Sequence, residues 1–348
     1  MNLEDIQPKN AVIHTQTRRA KLLVELREYF EENRGKAIED VSECPVCGSG
    51  NRHEVFCKAF VVFSRCLECE AIYQSRKVSE GVRDAMYARS EYFDLSAQGV
   101  HAATHENRKV GKSVPILDRL TAFADPNVPL RLLDVGCATG NFLELVAERT
   151  AWLGQGVEIN QGAAEFARSR GLDIVLGNAM HVDWPLQSFD IIVCLGLIGR
   201  IATPRAFAAR CAELLSPNGI LLITTPNCNG FEMAVIGEHH LYYDPLDTPC
   251  GYTRRSIELL LESAGMRILS FTTPGEMDVE IVRRHAIDLN LPVSMSDFER
   301  TLLLSEEPRM DAVRAAFGRF LTTNGLSGLM EIVSHKPSKA HDRGGHVL

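Results

Sequence analysis

The sequence predicts an α/β fold: an open, mostly parallel sheet with helices on both faces, and ahead of it a small cysteine-rich module. Three observations carry that prediction. From Leu130 to Thr272, apolar runs of strand length alternate with helix-compatible segments. The first run (Leu130, Leu132, Leu133, Val135) contains an acid, Asp134, and leads through the small-residue turn Gly136-Cys137-Ala138-Thr139-Gly140 straight into a helical segment, Asn141 to Arg149. Two C-x2-C pairs, Cys44/Cys47 and Cys66/Cys69, precede that run.

Composition bounds the reading. A chain of 348 residues that is 45% hydrophobic can bury a full α/β core and still carry a second small module. Its formal charge of −8 argues against wholesale nucleic-acid binding, although a local basic patch remains compatible with it. No apolar stretch approaches the ~18 residues of a membrane span, and MNLEDIQPKNAVIHTQ lacks a hydrophobic signal core, so neither a membrane partner nor secretion is expected. Ten cysteines in such a chain suggest a reducing compartment, and the expected location is the cytoplasm.

In chain order, residues 1–40 hold a polar start and a helix over Thr17–Asn33, whose apolar positions (Leu22, Leu23, Leu26, Tyr29, Phe30) have helical spacing; that helix packs on its own domain or pairs two copies as a homodimer. Residues 41–78 contain the two C-x2-C pairs, whose gap lets the backbone turn so that both sulfurs point inward. Cys44, Cys47, Cys66 and Cys69 are therefore candidate ligands of one structural zinc in a zinc ribbon; a redox dithiol and a rubredoxin-like iron site are the alternatives. The second pair is followed by Glu70 where a glycine is usual. Residues 79–129 are connecting, cofactor-covering helices at Glu80–Tyr92 and Ser113–Ala124.

The core occupies 130–272. Strand, tight turn and helix start at Asp134–Gly140 read as a nucleotide-binding unit, because small residues admit a ligand and the helix start offers N–H donors. A dinucleotide fingerprint fails at Asn141, where its third glycine would fall. A second strand, Leu153–Ile159, ends in Glu158, placed to accept hydrogen bonds from ribose hydroxyls. A third leads into Gly177-Asn178-Ala179, a fourth spans Ser188–Cys194, and Leu214–Thr225 reads as helix end, turn and fifth strand. After it, Pro226–Tyr252 is loop-like and contains Glu238-His239-His240-Leu241-Tyr242-Tyr243. A helix at Thr253–Gly265 and a sixth strand at Met266–Thr272 follow. Residues 273–327 are a helical insertion, a lid or interface; 328–335 are a final antiparallel strand, and 336–348 a disordered tail.

These segments resemble class I S-adenosylmethionine (AdoMet) methyltransferases, and with the ribbon they resemble zinc-ribbon-bearing members of the ubiquinone-methyltransferase-like branch, many of them associated with surface-polysaccharide or natural-product pathways. The resemblance implies a Rossmann-like seven-stranded sheet and a cofactor site built from Asp134, Gly136, Cys137, Ala138, Gly140, Glu158, Ile159, Asn178, Ala179 and Leu195. Asp134 would organise the methionine end, and Asn178, where the family often has Asp, would meet the adenine amino group. Ala138 replaces the middle glycine, and Gly199-Arg200 stands where relatives often carry Glu-His. The implied reaction moves a methyl group to a small-molecule acceptor, a sugar, polysaccharide precursor or natural-product hydroxyl. His240, with His239 second, is the candidate base, and Tyr242 or Tyr243 would orient the acceptor. An RNA methyltransferase gripping its substrate with the ribbon and a non-catalytic AdoMet-binding scaffold are the alternatives.

Overall fold

The computed structural model describes residues 38–58, 60–79, 113–240, 242–275, 278–288 and 295–338, with Val24 and Gly111 besides. The expected helices at Thr17–Asn33 and Glu80–Tyr92 and the last ten residues of the tail lie outside the described residues.

The N-terminal module is an antiparallel sheet of β1 (Ile38–Asp40), β2 (Arg52–Lys58), β3 (Val61–Cys66) and β4 (Ile72–Val78), in the order β1-β4-β3-β2. The edge of β4 that β1 leaves uncovered takes a fifth strand from far along the chain. That is β10 (Cys250–Gly251), with Cys250 opposite Tyr73 and Gly251 opposite Ile72. The ribbon is thus joined to the core by sheet hydrogen bonds, a connection with no local pattern to announce it.

The main sheet has seven strands: β5 (Arg131–Val135), β6 (Leu153–Glu158), β7 (Asp173–Leu176), β8 (Phe189–Leu195), β9 (Leu215–Pro226), β11 (Arg267–Thr272) and β12 (Leu329–His335). Their order is β11-β12-β9-β8-β5-β6-β7, and β12 runs antiparallel between β9 and β11. The chain builds outward from β5 to β7 and then returns to β8, so the order reverses at the β5/β8 boundary. Open α/β sheets bind ligands in the crevice beyond the strand ends at such a point.

Both faces are covered, which is why β8 and β9 read as continuous apolar runs. Alternate residues point to opposite sides. Leu133, Ile192, Cys194, Leu221 and Ile223 pack with α4 (Pro204–Leu214) and α6 (Arg254–Ser263). Leu132, Ile191, Val193, Ile220 and Leu222 pack with α1 (Val114–Leu120), α2 (Asn141–Arg149) and α3 (Gln161–Ser169). Arg119 of α1 forks onto the buried carboxylate of Glu331 in β12, which fastens the first helix across the sheet. The insertion is helical as expected: α7 (Asp278–Asp288), α8 (Asp297–Leu304) and α9 (Arg309–Thr323) share a cluster with Val235 and Ile236 of α5 (Phe231–Ile236).

Candidate active site

The turn after β5 is built for close approach. Gly136 (φ +72°), Ala138 (φ +49°) and Gly140 (φ +79°) all occupy left-handed backbone. A Cβ at Gly140 would lie 2.3 Å from Leu172 Cδ1, and one at Gly136 2.9 Å from Leu197 Cδ2. Ala138 accepts that conformation at a cost of roughly 1–2 kcal/mol. Its N–H donates to Glu158 Oε2 at 2.9 Å, while Glu158 Oε1 accepts from Asn160 N–H at 2.7 Å. The half-buried carboxylate is pinned by two backbone donors and keeps lone pairs for further ones. Gly156, which the sequence reading passed over, makes this possible: a Cβ there would meet Cys137 Sγ at 2.6 Å. Cys137 itself is buried, and burial pushes its thiol up, so it stays neutral.

Asp134 is 2% exposed, and among the described residues its Oδ1 has no hydrogen-bond partner. Burial, then the charge of Glu158, pushes its carboxyl up to about 7. A buried acceptor without a donor is costly unless something fills the role. The ammonium of an amino-acid cofactor such as AdoMet has the chemistry to do so, and the cradle of glycines beside it leaves the backbone bare. The residues present fit that cofactor.

The remaining candidates line the same edge. Ile159 follows Glu158 and is 73% exposed, an apolar side chain open to solvent at the crevice. Pairing of β6 with β7 sets Glu158 opposite Leu176, which brings Asn178 and half-buried Ala179 to the neighbouring strand end. Asn178 Oδ1 already accepts Met180 N–H at 2.9 Å, so an adenine amino group would have to use its second lone pair. Leu195 closes β8 and is half-buried ahead of Gly196.

Across the crevice, the segment from Tyr242 to Tyr252 lies over the exit of β8. Arg200 Nε meets Asp247 Oδ2 at 2.6 Å and its Nη1 donates to Gly196 O at 3.1 Å, while Tyr252 Oη donates to Ile198 O at 3.4 Å. Tyr242 Oη donates to Cys250 O at 3.2 Å, and a Cβ at Gly199 would stand 2.0 Å from that phenol oxygen. Gly199 is therefore glycine because Tyr242 fills its space. Burial raises the Tyr242 phenol well above its ordinary range, which keeps it a neutral donor.

The histidines do not stand as expected. His239 is exposed. His240 Nδ1 accepts Tyr242 N–H at 3.0 Å, and its Nε2 lies 3.2 Å from Glu232 Oε2. The first bond fixes the tautomer with the proton on Nε2, so neither nitrogen is open to take a proton from an acceptor. The ring also faces the insertion, stacked on His285 with centroids 6.5 Å apart. Glu232, buried beside Asp278, comes from α5, and no local pattern in the sequence announces that pairing.

The four cysteines converge. Cys44 Sγ and Cys69 Sγ are 3.5 Å apart, as are Cys47 Sγ and Cys66 Sγ, and all four sulfurs lie within 4.8 Å of one another. Tetrahedral zinc with Zn–S near 2.3 Å needs S···S edges of about 3.8 Å, so the set fits. Gly48 (φ +80°) and Glu70 (φ +63°) close equivalent turns, each N–H returning to the first cysteine carbonyl of its pair. Glu70 thus adopts the backbone that favours the usual glycine.

Strand order, switch point and turn together define a Rossmann-like sheet of the methyltransferase type. Residues 105–270 match the family described as a methyltransferase domain. The ubiquinone biosynthesis O-methyltransferase of Neisseria meningitidis is 28% identical over 132 residues, 34% of this chain and 54% of that protein. Its namesake in Rhodopseudomonas palustris is 31% identical over 123 residues, 32% of this chain and 47% of that protein. The chain spans about half the length of these curated relatives. A structure of Haemonchus contortus phosphoethanolamine N-methyltransferase 2 in complex with S-adenosyl-L-methionine shares the fold, with 17% identity, a TM-score of 0.50, and coverage of 76% of this chain and 63% of that one. Residues 105–270 thus resemble the methyltransferase domain of class I S-adenosylmethionine-dependent methyltransferases. Among the described residues, no helix is long and apolar enough to cross a membrane.

Proposed function

We propose that the protein transfers the methyl group of AdoMet to a hydroxyl of a small-molecule acceptor. The observation that carries this reading is the convergence, beyond β5, β6 and β7, of an unpartnered buried Asp134 oxygen with the pinned carboxylate of Glu158 across a glycine-lined turn. Bound AdoMet supplies an electrophilic methyl on a sulfonium. Asp134 accepts from the cofactor's ammonium, Glu158 accepts from its ribose hydroxyls, and Ile159, Asn178, Ala179 and Leu195 flank the adenosine. Gly136, Cys137, Ala138 and Gly140 keep the backbone close to it. The acceptor approaches over the exit of β8, where Tyr242 lines the way in; to donate to the acceptor its phenol would have to give up its bond to Cys250 O.

The acceptor oxygen forms a bond to the methyl carbon as the carbon–sulfur bond breaks, leaving S-adenosylhomocysteine, and the hydroxyl proton passes to water or a basic side chain. That His240 is this base requires its bond to Tyr242 N–H to open first; a holding role for it agrees better with the geometry. The names of the relatives favour oxygen as the methylated atom and a quinone-type acceptor over the sugar or polysaccharide precursor suggested by the ribbon resemblance. Cys44, Cys47, Cys66 and Cys69 hold one structural zinc, since four thiolates leave no open position for catalysis.

The RNA reading is less well supported: Phe56 and Phe63 on the ribbon pack against Tyr243 of the chain itself, and the overall charge is acidic. Incubation with methyl-labelled AdoMet and separated cell fractions tests the proposal. Label is expected in a small molecule, with S-adenosylhomocysteine formed in equal amount. Label in RNA supports the second reading, and binding with no turnover in any fraction supports a scaffold.

A further inference from the structure

We infer that the zinc ribbon is the positioning device of the acceptor site, and that Gln74 is the residue through which it acts. This rests on the reading that the acceptor meets the crevice over β8, beneath the segment 242–252. That segment has little regular structure of its own. Its one strand is the two-residue β10, and it exists as a strand only because β4 of the ribbon pairs with it.

Gln74 makes the junction. Its side chain is buried, and Nε2 lies 3.2 Å from Asp244 O, 3.1 Å from Pro245 O and 3.0 Å from Thr248 O. Two amide protons shared among three carbonyls gather the loop, one of them, Asp244 O, also accepting Thr248 N–H at 3.0 Å. The Gln74 backbone N–H adds a bond to Pro249 O at 3.0 Å. Around this clamp, Phe56 and Phe63 meet Tyr243 edge to face, and Leu246 enters the same cluster with Val61 and Ile72. Thr253 Oγ1, at the far end of the loop, donates to Cys69 O at 3.4 Å, a direct link to the second cysteine pair. The loop in turn holds the acceptor side: Asp247 receives Arg200, and Tyr242 packs on Gly199.

The path therefore runs from the cysteine cluster through β4 and Gln74 to the loop, and from the loop to the exit of β8. The cofactor residues of β5 and β6 are not on it. Loss of the ribbon's order should loosen the acceptor side and leave the cofactor side in place.

Hydrogen exchange of the amides in 244–251, measured on the full chain together with zinc content and S-adenosylhomocysteine affinity, tests this. In Gln74→Leu, which keeps the volume and removes the donors, protection of 244–251 should fall on the order of 10-fold or more, with zinc content unchanged and S-adenosylhomocysteine affinity within about 3-fold of wild type. Gln74→Glu gives a signature that a merely structural role would not: a carboxylate faces three carbonyls with no proton to offer, while the acid form can donate. Its loop should be open at pH 8 and protected again near pH 5, after correction for intrinsic exchange. Removing zinc from wild-type protein with a chelator should expose 244–251 along with the ribbon, and restoring zinc should reverse it. Unchanged protection in both variants, or a loop that stays protected without zinc, overturns the inference. Failure of wild-type protein to bind S-adenosylhomocysteine would instead count against the cofactor reading and leave the exchange results to decide the ribbon's role.

Discussion

The most consequential single residue is Asp134, because its state changes with pH and with cofactor. Burial raises its folded pKa from 3.8 to about 7, so the cofactor-free folded protein holds a proton that the unfolded chain gives up. This group's contribution to stability is fully present below the unfolded pKa near 4, declines as pH rises toward 7, and is constant above that. Asp134→Asn should flatten part of the pH 4–7 decline in the denaturation midpoint of the cofactor-free protein. Asp278, also pushed up to about 7, should retain its own share. A cofactor ammonium arriving beside Asp134 favours the carboxylate, so binding near pH 6.5 should release protons. Calorimetry in two buffers of different ionisation enthalpy reads this directly, and identical enthalpies in both would show that no proton leaves. His240 gives the opposite lesson at this scale. Its place in the sequence suggested a base, but a backbone N–H and Glu232 hold both ring nitrogens, and neither partner has a spacing that a sequence reading could recognise.

At the scale of elements, the strands, the turn after β5 and the cysteine pairs were legible because local pattern and tertiary role agree there. Apolar runs covered on both faces are visible as runs, and left-handed turns are visible as small residues. The sequence did not disclose β10, since two residues have no period and this strand depends on β4 for its partner. Gly156 was missed for a related reason: its need to be glycine comes from Cys137, Leu143 and Ile174, which reach it from other elements. Gly156→Ala should destabilise the protein by about 1–3 kcal/mol through overpacking, and should also disturb the Ala138–Glu158 contact above it. Chemical denaturation measures the first effect and cofactor titration the second. A neutral outcome in both would mean that the turn has room to shift.

At the scale of the whole molecule, the ribbon and the sheet are one packed body. Cys44, Cys66, Cys69 and Tyr73 belong to the same buried cluster as Ile192, Ile257 and Met330 of the core. Zinc removal should therefore lower the unfolding temperature of the intact protein as well as disorder the ribbon, because metal binding and folding are coupled. Scanning calorimetry with and without chelator checks this; an unchanged core transition would mean that the ribbon is energetically separate. The crevice beyond β5 and β6 is proposed to bind AdoMet. Titration of AdoMet into the wild-type protein and into Glu158→Ala tests it most directly. One site per chain is predicted, with binding weakened in the variant by on the order of 1.5–3 kcal/mol, roughly 10- to 150-fold, as charge-assisted hydrogen bonds to the ribose are lost. Equal affinity in the two proteins, or no binding to either, would contradict it.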